Sequence, residues 1–210
     1  MPLRRLDAEI IRDAMLAVSG VLDRTPGGPS VPVGPTSHGL AEVTEAKAYR
    51  WSLEKKSIYE VTLKLATPTS RYRRSVYLFA RRNNRLTELA AFDQPVVNTN
   101  CTGRTASATV QQALAMLNGN FAQEQAEHFA RRVRDEAGSS RPPRIERAFR
   151  LALGRVPTDE EWSLVEDVLT KQSQVYAQSN SDFTPQQNED AALVDLCQML
   201  LNANEFLYVE

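Results

Sequence analysis

Leu3, Leu6, Ile10, Ala14, Val18 and Val21 recur at steps of three and four residues. That period predicts an amphipathic helix from about Arg5 to Leu22. The next stretch, 23–39, holds four Pro and four Gly and reads as a loop that can neither continue a helix nor sit inside a sheet. The pattern is weakly helical over 40–50. It then alternates in "SIYEVTLKL", where Tyr59, Val61, Leu63 and Leu65 share one face of an expected strand. "SVYLFA" at 75–80 is apolar on both faces and predicts a second strand, so the two together suggest a hairpin or small sheet.

Helical spacing dominates the rest. Leu86, Leu89 and Phe92 mark a short helix before Pro95, and Val110, Leu114 and Leu117 mark another that "NGN" interrupts. Phe121, Phe129 and Val133 carry the next one to Gly138. Pro142 and Pro143 suit a first helical turn, Ile145, Phe149 and Ala152 a buried face, and Gly154 a C-terminal cap. Thr158 with Glu161 three residues on is a capping box, and Trp162, Val165, Val168 and Leu169 are the apolar stripe behind it. The polar stretch at 172–188 reads as a linker, followed by a last helix through Leu193, Leu196, Cys197 and Leu200. The expected fold is mainly α, a multi-helix domain with a small β element, in one domain over 1–210.

Composition narrows the function classes. A net charge of −1 gives no global attraction to nucleic acid or to an anionic membrane. No apolar run reaches bilayer length, and the N-terminal stretch is amphipathic rather than a secretory apolar core. Taken alone, that points to the cytoplasm. Two cysteines, Cys101 and Cys197, exclude a disulfide framework or a Cys-rich zinc module, and two buried thiols is the simpler reading of the pair. There is no Cys-x-x-Cys-His, so no haem attachment and no cofactor is expected in this chain. Glu124 and His128 are spaced for a helical surface pair rather than a metal site. Asn100-Cys101-Thr102 matches a glycosylation acceptor only at the level of three residues.

Charge is concentrated in one place. Residues 71–85 hold six Arg and no acid, around Val76, Tyr77, Leu78 and Phe79. Guanidinium forks grip carboxylate, sulfate or phosphate bidentately, and the aromatic rings offer stacking faces. The competing reading is structural: arginines flanking a buried segment, paired with carboxylates and covering apolar surface with their stems. The candidate ligand-binding residues are Arg73, Arg74, Arg81, Arg82, Asn83 and Asn84. Arg104, Asn118, Asn204 and Glu205 join them if the Asn-rich element ends converge with Asp93 on one polar pocket. "RIERAFRLALGRVPTDEEWSLVEDVLTKQ" has a helix-turn-helix outline. Its second helix carries five acids against one Lys between Asp159 and Lys171, which phosphate repels. A structural helical hairpin is expected there, and nucleic acid is not an expected partner.

Six ordered segments, "RRLDAEIIRDAMLAVSGVLD", "RRSVYLFARRNN", "FDQPVVNTNCTGR", "QQALAMLN", "RIERAFRLALGRVPTDEE" and "LCQMLLNANEFLYVE", resemble a known domain. It is the C-terminal domain of unknown function of planctomycete cytochrome-c-associated (PSD-type) proteins. The resemblance spans nearly the whole chain, apart from 40–68 and 172–188. It implies a module of a larger, exported cell-envelope protein whose partners are upstream domains and a polysaccharide. It supplies no catalytic residue. The family's further upstream stretch of this domain is absent here, so the chain reads as the C-terminal part of a longer ancestor. The functional expectation is a non-catalytic binding or scaffolding module. The alternative is an enzyme subdomain contributing to a site completed upstream.

Overall fold

The computed structural model describes residues 4–35, 40–43, 71–79, 85–95, 109–180 and 182–209. Its elements are β1 (Arg4–Arg5), α1 (Ala8–Ser19), β2 (Val33–Pro35), β3 (Ala41–Val43), α2 (Thr87–Ala91), α3 (Val110–Asn118), α4 (Asn120–Ala137), α5 (Arg141–Leu153), α6 (Asp159–Ser179), α7 (Pro185–Leu201), α8 (Asn204–Leu207) and β4 (Tyr208–Val209). The fold is mainly α with two minor antiparallel ladders, β1 with β4 and β2 with β3. The chain clusters into two compact units. One comprises Met1–Arg5, Ala17–Gly20 and Ala113–Glu210, the other Leu6–Leu16 and Val21–Gln112.

The first unit is helical. Helix α7 packs against α4, α5 and α6. Phe129, Val133, Ile145, Ala148, Ala192, Leu196, Cys197 and Leu201 are buried in its core. Cys197 is a free thiol, and burial raises its pKa. Charges around this core are matched. Arg134 and Arg144 share Asp190, and Arg141 binds Glu189 and Glu166. The ends follow the local code. Pro stands in the first turn of α5, and Gly154 at φ 72° receives its C-terminus in the left-handed region that glycine favours. Thr158 accepts from the Glu161 amide while Glu161 reaches back to the Thr158 amide.

Arg155 adds a second ligand to that box, forking both Glu161 and Glu205 with 2.7 Å contacts. The fork and the cap hold the Glu161 carboxyl down, from the ordinary 4.5 to about 2. A depressed carboxyl contributes stability above its unfolded value and loses it as pH falls through its folded one. Melting temperature is therefore expected to fall as pH drops from 4.5 toward about 2. Glu161→Gln should flatten that part of the profile, although solvent screening keeps the contribution small.

Several elements differ from their sequence-based expectation. Helix α1 is present, but its buried face is Ala8, Ile11, Arg12, Met15, Leu16 and Ser19, while Ile10 is half exposed. The inward face is rotated because it includes a charged residue that a hydrophobic count assigns to solvent. The Pro/Gly stretch does enter a sheet: Val33–Pro35 pairs with Ala41–Val43, replacing the weak helix expected at that point. "SVYLFA" is not a regular strand. Ser75–Tyr77 forms a 3₁₀ turn, and Leu78 makes one isolated bridge to Val31. The Ser75 amide and hydroxyl are both taken by the Asp13 carboxylate, which displaces a ladder partner.

In α3 the apolar positions Val110, Leu114 and Leu117 are exposed, and Gln112 and Met116 are buried. The expected linker at 172–188 is mostly helix. Helix α6 runs on to Ser179 because Tyr176 continues its inner face and donates to Asp195 of α7. Helix α7 then starts at Pro185 behind a second capping box, Thr184 with Gln187. The strand expected at 57–65 and Cys101 lie outside the described residues.

Candidate ligand-binding site

The arginine-rich segment is built from α1 outward, within the second unit. Burying the inner face of α1 carries Arg12 inward with Ile11 and Met15. A buried guanidinium must spend its donors on protein acceptors. Arg12 donates to the carbonyls of Arg71 (2.6 Å) and Arg73 (3.0 Å) and to Ser75 Oγ (3.2 Å). Desolvation lowers its pKa, with Asp13 and Glu88 acting against that shift. The neighbouring Asp13 accepts from the Ser75 amide and hydroxyl at 2.7 Å each. One helical turn thereby fixes the backbone from Arg71 to Ser75.

Fixing that backbone sorts its side chains. Arg73 and Ser75 are buried, whereas Arg74 is 58% and Val76 73% exposed. The Arg73 guanidinium donates to the carbonyls of Gly27 and Pro29, the latter at 2.7 Å, and lies 3.5 Å from that of Thr25. Its other face stacks on the Tyr77 ring, 3.9 Å from the centroid. Tyr77 Oη accepts from the Gly27 amide at 2.8 Å, so ring and guanidinium hold the same loop. Asp23 closes the loop's start: its carboxylate accepts from the Thr25 amide, and the Thr25 hydrogen bonds lower its pKa. Arg74 is held loosely, its Nε 3.6 Å from Asp13. Glu88 of α2 is partly buried, desolvation raises its pKa, and among the described residues its Oε2 has no hydrogen-bond partner.

Of the residues singled out by sequence, Arg73 and Arg74 lie in this site. Arg81, Arg82, Asn83, Asn84 and Arg104 lie outside the described residues. Asn118, Asn204 and Glu205 are exposed in the helical unit, and Glu205 is bound to Arg155. Asp93 takes a left-handed turn at φ 61° and accepts from Gln112. The residues that hypothesis missed are Arg12, Asp13, Ser75 and the loop carbonyls. Arg12 left a signal, since it stands four after Ala8 and four before Leu16, both apolar. Helices α5 and α6 follow one another and both pack on α7, and the arginines of 141–155 are ion-paired within the helical unit. His128 pairs with Glu124 at 3.7 Å. Among the described residues no three His, Cys, Asp or Glu side chains are grouped to hold a metal, and no helix is long and apolar enough to cross a membrane.

Residues 1–169 match the family model PSD1, a protein of unknown function (DUF1553). The chain belongs to the PSD1 family. Neither the curated proteins nor the solved structures compared with it give a match. The PSD1 match contains the whole arginine-rich site. It ends inside α6, so α7, central to the core of the helical unit, lies beyond it.

Proposed function

We propose that this PSD1 member is a non-catalytic binding and scaffolding module of a larger cell-envelope protein. Its arginine-rich edge would contact an anionic or polyhydroxyl glycan. The observation that carries this reading is the alternation along 73–76. Arg73 and Ser75 anchor the segment, and Arg74 and Val76 are displayed from it. A guanidinium on a fixed backbone loses little entropy when it grips a carboxylate or sulfate. Its weak tie to Asp13 leaves donors to spare. Arg81, Arg82, Asn83 and Asn84 continue the same segment and belong to the proposed contact. The resemblance to planctomycete cytochrome-c-associated proteins supports upstream domains of a parent protein as partners.

Calorimetric titration with alginate, dextran and duplex DNA over a range of NaCl concentrations tests this. Alginate is expected to bind more tightly than duplex DNA, with an affinity that falls as salt rises because arginines hold its carboxylates. Duplex DNA binding more tightly, with a steep salt dependence, would instead mark a nucleic-acid surface. No binding of either glycan would overturn the proposal.

A further inference from the structure

We infer that the Pro/Gly loop is a built-in occupant of an anion site on Arg73 and Tyr77, a strap that a ligand oxyanion displaces. Arg73 is buried, and among the described residues its hydrogen-bond acceptors are neutral backbone carbonyls; Asp23 at the loop's start feels its charge without a direct ion pair. Buried charges are ordinarily neutralised by an opposite charge. Here the carbonyls of Thr25, Gly27 and Pro29 stand where the oxygens of an anion would. An anionic oxygen is the stronger acceptor for a guanidinium.

The strap is built to leave. Residues 24–28 are exposed, and Gly27 and Gly28 have φ of 75° and 85°, so the turn depends on glycine. Its ends are pinned by backbone bonds of Asp23 to Tyr72 and of Val31 to Tyr77 and Phe79, and between them it is tied to the segment beneath by the Arg73 carbonyl bonds and the Gly27–Tyr77 bond. A ligand therefore competes with the chain itself, and its apparent affinity scales with the fraction of strap open.

The inference rests on the proposed glycan contact only for the identity of the ligand, so the probe is inorganic sulfate, compared with chloride at equal ionic strength. Deuterium exchange at the Gly27 amide is expected to quicken with sulfate. Tyr77→Phe keeps the stacking ring and removes one strap bond, so it should tighten sulfate binding about fivefold. Sulfate that fails to bind, or binds with Gly27 exchange unchanged, overturns the strap. So does a folded Tyr77→Phe variant with unaltered affinity. If that variant does not fold, Gly27 exchange in the native chain decides. Alginate separates the two ideas. Sulfate opening the strap while alginate does not bind would sink the glycan reading alone. Alginate binding through Arg74 over a closed strap would sink the strap alone.

Discussion

A chain cut after Leu169 is expected to lose the cooperative melting of its helical unit, although it retains every residue of the PSD1 match. The cut removes α7 and the second half of α6. Leu193, Leu196, Cys197, Leu200 and Leu201 would go with them, all buried. A fully buried leucine contributes about 1.5–3 kcal/mol of apolar burial, so four of them approach the whole stability of an ordinary domain. The loss is not only apolar. Arg134, Arg141 and Arg144 would be left beside α4 and α5 without Glu189 and Asp190. Arg134 and Arg144 would be unpaired and Arg141 left with Glu166 alone, which adds to the cost. Circular dichroism through a thermal ramp reads the result. The expected trace is broad and low in helix. A sharp transition like that of the full chain would mean that the matched region holds its own core.

Replacing Arg12 by Ala is the second large effect, an expected loss of about 3–5 kcal/mol on the scale for breaking a buried charged contact. Three acceptors lose their donor at once: two carbonyls and Ser75 Oγ. Each buried unsatisfied group costs about 1–3 kcal/mol, and the vacated volume adds to that. Arg12→Lys should recover less than half of the loss, because one ammonium cannot span three acceptors that a planar fork reaches together. Urea denaturation of the two variants beside the parent chain measures this. A loss under about 1 kcal/mol for Arg12→Ala would mean that the segment is held by Asp13 alone.

Much of this architecture is legible in the residues, and the failures share a cause. Local signals with a short reach hold: the Thr158–Glu161 box, the prolines of α5 and the glycine after it all sit where their chemistry puts them. The Thr184–Gln187 box obeys the same rule, and its three-residue spacing stands within the polar stretch that reads as a linker. What fails is inference from polarity to exposure. Arg12 is charged and buried, so the apolar count on α1 selects the wrong face. Val110 and Leu114 are apolar and exposed, so the count on α3 selects the wrong face again. "SVYLFA" has the composition of a strand, but a side-chain carboxylate 62 residues away takes the Ser75 amide that a strand would offer its neighbour. Such long-range polar contacts leave no periodicity in the chain. At the candidate site, the excess of arginine was visible, but which arginine turns inward was not. That is settled by Asp13 and by the loop carbonyls.

The central claim is that this one segment divides its arginines between holding and displaying. The most direct test is a parallel measurement on Arg73→Ala and Arg74→Ala, melting temperature and alginate affinity for each. Arg73→Ala is expected to lower the melting temperature, since it frees the loop carbonyls and unstacks Tyr77. Arg74→Ala should leave melting nearly unchanged and weaken alginate binding. The opposite pattern, with Arg74→Ala melting early and Arg73→Ala melting like the parent, would contradict the division and the function drawn from it.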